Sequence, residues 1–193
     1  MNITDSYNFT RRVSRSVTVG GVRIGGGADI AVQSMTTAKT ADIAAVSAQI
    51  RELAAAGCDI VRVAVPDIAS AQAIADIKRE TNIPIVADIH FDHNLAIAAI
   101  RAGVDKIRIN PGNIGDAERV RAVADAARER GVPIRVGVNG GSLTREMVAK
   151  HGGATPDAIV ESALEHVELL ESLDFRDIVV AVKSSDVRTT IES

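Results

Sequence analysis

The chain has 193 residues, 46% apolar and 24% charged, with a net charge of −3, which suits one domain with a sizeable core. The near balance of charge excludes a global basic field for nucleic acid, so any anion site must be local, and four aromatic residues (Tyr7, Phe9, Phe91, Phe175) are too few for a base-stacking platform. No apolar run approaches the roughly 20 residues of a membrane span and no secretory h-region opens the chain, so a cytoplasmic protein with no membrane or nucleic-acid partner is expected.

Residues 1–29 read as an N-terminal segment with a β-hairpin, because 17–24 alternates around Gly20-Gly21. The hairpin is expected to plug the bottom of the domain that follows. Gly25-Gly26-Gly27 leads into a strand and not a helix, so it reads as a turn and not a phosphate cradle. From residue 30 onward the chain alternates. Short runs rich in Val and Ile, predicted as strands, fall at 30–35, 60–65, 83–89, 106–110, 134–138 and 178–183. Helical stretches rich in Ala, Glu, Arg and Leu fall at 42–56, 68–80, 95–102, 116–130 and 157–173. Such alternation predicts a parallel sheet covered by helices. Two units also resemble each other: Gly57-Cys58-Asp59-Ile60-Val61-Arg62 and Gly103-Val104-Asp105-Lys106-Ile107-Arg108 each end a helix at Gly and enter a strand after Asp. Repetition of one βα module predicts an α/β fold of the TIM (β/α)8 type. Six units fit within 30–193, so the barrel is expected to be incomplete, with the first and sixth strands as open edges.

One strand face breaks the apolar pattern of a parallel sheet. Gln33, Arg62, Asp88 with His90, Lys106 with Arg108 and Asn110, Arg135 with Asn139, and Lys183 share one parity, whereas Ile and Val fill the other. The apolar parity must face the helices, so the polar one faces the barrel axis, where it gathers Arg62, Arg108, Arg135 and Lys183, with Lys106 nearer a strand start. Cations gathered away from water repel one another and lose solvation, and Asp88 is the one inward acid visible. A polyanionic ligand supplies the balance, and guanidinium groups match phosphate oxygens well. Other signals are weaker. Cys58 is the single cysteine, so it forms no internal disulfide and reads as a buried, inert thiol. His90 and His93 lack a third ligand at sensible spacing for zinc, and His93, His151 and His166 are expected to be exposed. Ser142 lacks a nucleophile elbow and reads as a ligand-contact or capping residue.

The strings Val86-Ala87-Asp88-Ile89-His90-Phe91-Asp92, Lys106-Ile107-Arg108-Ile109-Asn110-Pro111-Gly112-Asn113-Ile114-Gly115 and Ile134-Arg135-Val136-Gly137-Val138-Asn139, in this order, resemble the 4-hydroxy-3-methylbut-2-enyl diphosphate synthase family from about Arg11 past Lys183. That resemblance implies reductive opening of 2-C-methyl-D-erythritol 2,4-cyclodiphosphate in the MEP route to isoprenoids, with flavodoxin or ferredoxin as electron donor and a homodimer as the working enzyme. It implies that Arg62, Arg108, Arg135 and Lys183 grip phosphate oxygens, and that Asp88, His90, Asn110 and Asn139 orient the ligand. It also implies a 4Fe-4S cluster on three cysteines and a glutamate of a C-terminal domain. Residues 1–193 contain no such region, so the expectation is an iron–sulfur oxidoreductase by family, whose 193 residues alone bind substrate and do not turn it over. Two other readings stand beside it: a dihydropteroate-synthase-like transferase barrel, and a noncatalytic polyanion-binding fragment.

Overall fold

Val17–Val19 (β1) and Val22–Ile24 (β2) pair antiparallel across Gly20-Gly21 in a computed structural model that describes residues 13–110 and 114–193. Tyr7, Phe9 and the Pro111-Gly112-Asn113 part of the long motif lie outside the described residues. Six parallel strands follow: Gln33–Met35 (β3), Ile60–Ala64 (β4), Ile85–Asp88 (β5), Lys106–Ile109 (β6), Ile134–Asn139 (β7) and Ile178–Lys183 (β8), hydrogen-bonded in sequence order. Between them run Ile43–Ala55 (α1), Ile68–Glu80 (α2), His93–Arg101 (α3), Ala117–Arg130 (α4), Arg145–His151 (α5) and Pro156–Ser172 (α6), with Val187–Glu192 (α7) after β8.

The expected order of strands and helices is present, and β3 and β8 are the edges of the six-stranded sheet. The sheet curls into part of a barrel. Strands three places apart in a flat sheet lie about 14 Å from each other, yet Lys106 Nζ on β6 stands 3.4 Å from Gln33 Oε1 on β3. Strand β3 is shorter than the expected 30–35. Ile30 and Val32 are exposed, and the Val32 amide gives its hydrogen to the Asp59 carboxylate at 2.7 Å. Two short helices escaped the sequence reading, α5 and α7. Their N-caps, Thr144 and Asp186, accept from Met147 and Thr189 amides, but seven and six residues give too little apolar periodicity to detect.

Residues on the helix-facing parity form the main core, with Val61, Val63, Ile85, Ala87, Ile107 and Ile109 fully buried. A second, smaller cluster sits inside the curl, where Val19 of the hairpin packs on Ile60 and Val86, flanked by Val22, Ile24 and Ala31. The hairpin therefore seals the N-terminal end of the strands, as expected. Gly20 shows how closely: at φ +53, a Cβ there would stand 2.8 Å from Pro84 and 2.9 Å from the Asp105 carboxyl carbon.

The repeated Gly-x-Asp unit has a shared structural task. Gly57 and Gly103 take φ +90 and +91 after α1 and α3, and the amides of Cys58 and Val104 close back on Leu53 and Ala99 carbonyls. The aspartate one residue later then accepts from the amide near the start of the preceding strand: Asp59 from Val32, and Asp105 from Ile85 at 2.8 Å. Asp105 also receives Lys78 Nζ at 2.6 Å. Each unit thus ties its own strand to its predecessor.

Candidate functional site

Strand register sets the interior side chains in rows. Arg62 on β4 lies beside Met35 on one side and Val86 on the other, and Val86 lies beside Lys106. One row nearer the strands' C-terminal ends come Ala64, Asp88, Arg108, Arg135 and Val179, each paired with the next. Gly137 pairs with Ala181 above them, and Asn139 with Lys183 above that. The polar parity therefore does face the curl, at the C-terminal end where barrel active sites occur.

These rows enclose a cavity of about 270 Å³, lined on its polar side by Arg62, Asp88, His90, Arg108, Arg135, Asn139 and Lys183. Asp88 is its acid and is nearly buried, its side chain 4% exposed. It receives Arg108 Nη1 at 3.0 Å and stands 3.6 Å from Arg62 Nε. The half-exposed His90 ring lies 3.9 Å away, tilted on Phe91 at 5.9 Å between centroids. Arg62 also points Nε and Nη2 at the Met35 thioether, at 3.2 and 3.1 Å, a weak acceptor. Among the described residues Arg135 and Lys183 have no ion-pair partner. Burial lowers the Arg135 pKa, repulsion from Arg62 and Arg108 lowers it further, and Asp88 opposes the shift. Lys106 is 2% exposed, and burial first, then Arg135 and Arg62, bring its pKa down to about 8.

Seven of the eight sequence-predicted binding residues meet at this cavity. The eighth, Asn110, is buried just past β6 but is not part of the lining. Asp88 lies where expected, though its oxygens are engaged with guanidinium groups. Asn139 lines the cavity and also caps the turn Gly140–Ser142, accepting from the Gly141 amide at 3.3 Å while Ser142 Oγ donates to the Asn139 carbonyl at 2.9 Å. Ser142 is thus a capping residue. The histidines correct the sequence reading: His93, His151 and His166 are half-buried, not exposed, and His151 Nε2 meets Glu161 at 2.6 Å. Cys58 is half-buried, its thiol turned to the Ile60 carbonyl at 3.0 Å.

Sequence reasoning missed Gly137. It occupies the inward position between Arg135 and Asn139, and a Cβ there would stand 2.9 Å from Arg108 Nε. The missing side chain is the room that Arg108 uses to lie across β7. The gap in the polar alternation of 135, 137 and 139 was the available signal.

The GcpE TIM-barrel domain family matches residues 14–193. The chain belongs to that family. Among curated GcpE relatives, the 4-hydroxy-3-methylbut-2-en-1-yl diphosphate synthases (flavodoxin) of Bacillus cytotoxicus and Bacillus anthracis are each 57% identical over 183 residues, 95% of this chain and 50% of theirs. The chain spans about half the length of these relatives. Among solved structures, the GcpE barrel is similar to type I 3-dehydroquinate dehydratase of Clostridium difficile (TM-score 0.62, 14% identity, 94% of this chain and 85% of that one). It is also similar to Yersinia pestis dihydropteroate synthase (TM-score 0.58, 12% identity, 86% and 61%). At these identities the likeness is one of fold alone.

Proposed function

We propose that this chain is the substrate-binding barrel portion of a 4-hydroxy-3-methylbut-2-en-1-yl diphosphate synthase, taking 2-C-methyl-D-erythritol 2,4-cyclodiphosphate as its ligand. The observation that carries the reading is one cavity with Arg62, Arg108, Arg135 and Lys183 on its walls and Asp88 as its single acid. A ligand with two linked phosphates fits that imbalance. Arg135 and Lys183, which have no ion-pair partner among the described residues, are the first candidates for its oxygens. Arg62 and Arg108 are aimed by Asp88, which limits their motion before the ligand arrives and so reduces the ordering cost of binding. His90 and Asn139 line the C-terminal end of the cavity, where the carbon skeleton would lie.

In this reading residues 1–29 serve as segment and plug and 30–193 as the barrel. The relatives' names support reduced flavodoxin as electron donor, and a cytoplasmic dimer goes with the same reading. The family's 4Fe-4S cluster does not fit the residues present. The sequence has one cysteine, its thiol is turned to a backbone carbonyl, and no group of three or more His, Cys, Asp or Glu among the described residues could hold a metal. These residues bind and orient the ligand; the electron-transfer step is not theirs. The dihydropteroate-synthase-like reading has a shared barrel in its favour and no more.

Calorimetric titration of the intact protein with the cyclodiphosphate, and separately with a pterin diphosphate, tests the reading. Tight binding of the first alone is expected. Arg108→Ala and Arg135→Ala should each weaken it by about 10- to 100-fold, the value of one charged hydrogen bond. Equal affinity in the variants and the parent would remove these residues from the site.

A further inference from the structure

Lys106 is the largest fully buried side chain among the described residues, and nothing in the site above uses it. Its ammonium has three hydrogens to place. One acceptor is within reach, Gln33 Oε1 at a long 3.4 Å. The groups that face it are Gln33 from β3, Arg62 from β4, Val86 from β5 and Arg135 from β7, with the Val19–Ile60–Val86 cluster closing the space below. Asp88 stands one row higher, committed to Arg108 and Arg62. Each charge turned toward Lys106 is therefore repulsive. A side chain kept only to fill this space would be apolar, since an unpaired buried cation weakens the fold.

We propose that Lys106 sets the anion affinity of the cavity from beneath, its sealed ammonium adding a positive charge that a bound diphosphate feels through the protein interior and not by contact. The inference rests on the anion-binding reading above and adds a residue outside the cavity lining. Low-dielectric surroundings make it effective at a distance. At an effective dielectric of about 20, one charge about 10 Å from another changes affinity by about tenfold.

The test is titration of the intact protein with inorganic diphosphate at pH 7 and pH 9.5, beside Lys106→Met and Lys106→Gln. Lys106 titrates at about 8 in the fold, whereas carboxylate and guanidinium groups hold one charge state over this interval. The ionisation of diphosphate itself is common to all three proteins and cancels in the comparison. The variants should bind about tenfold more weakly at pH 7, and the difference should close at pH 9.5. They should also melt no lower than the parent. The charged form is the disfavoured one in the fold, so the parent is the less stable below pH 8 and recovers as pH rises toward 10.5. Unchanged affinity at pH 7, a gap that persists at pH 9.5, or variants that do not fold would each overturn the proposal, the last by making Lys106 a structural strut. A parent protein that binds no diphosphate at either pH would instead strike the anion-site reading itself.

Discussion

Arg108 owes its position to two neighbours of opposite character. Asp88 holds its Nη1 at 3.0 Å, and Gly137 leaves open the space that Nε and Nη2 occupy. Gly137 does not have positive φ, so alanine there brings no backbone strain; the added methyl meets the guanidinium alone. Gly137→Ala should therefore leave the urea midpoint nearly unchanged and weaken diphosphate binding by about fivefold, less than removal of a full charged hydrogen bond. Parallel denaturation and calorimetry check this, and a variant that loses stability instead of affinity would show that Gly137 serves the fold. Asp88 explains why the guanidiniums coexist at all. With its side chain 4% exposed, it offsets part of the repulsion between Arg62 and Arg108, while Arg135 and Lys183 keep their charge available.

The two Gly-x-Asp units give the βα element its precision. Each glycine reverses the chain after a helix, and each aspartate fixes the start of the preceding strand, so the register that delivers Arg62 and Arg108 is set at the opposite end of the sheet. Asp105 carries more than Asp59, because it also neutralises Lys78. Asp105→Ala leaves the Ile85 amide and a half-buried ammonium unpaired, and its loss in urea denaturation should be about 2–4 kcal/mol. Asp59→Ala, whose partner amide belongs to the exposed Val32, should lose less. Equal losses would mean that the Lys78 pair contributes nothing. The cations lie toward the C-terminal strand ends and these anchors at the N-terminal ends, which separates the binding face from the stabilising one.

At the scale of the whole molecule, the net charge of −3 conceals a strongly positive interior. The inner face of the sheet gathers the cations around one acid. A bound polyanion relieves that repulsion, so diphosphate should raise the melting temperature. At about 100 times its dissociation constant it adds about 2.7 kcal/mol, or about 5–10 °C for a domain of this size. Arg108→Ala should show a smaller shift at the same concentration, and scanning calorimetry distinguishes the two. An equal shift in both proteins would mean that the anion binds elsewhere.

Alternation of strand-like and helix-like runs in the sequence determined the parallel sheet. Alternation of apolar and polar residues within the strands determined the inward placement of Arg62, Arg108, Arg135 and Lys183, because side-chain direction in a strand has a period of two and burial admits one assignment of the faces. The long Asp88–Asp92 and Lys106–Gly115 strings carried the family. Tertiary structure alone decided which of these residues meet. It buried Asn110 just past β6, used Ser142 as a cap and half-buried three histidines. It also made Gly137 the space for Arg108, and it curled the sheet until Lys106 reached Gln33. Distances between side chains on different strands depend on sheet curvature and register, and those are set by contacts among residues far apart in the chain.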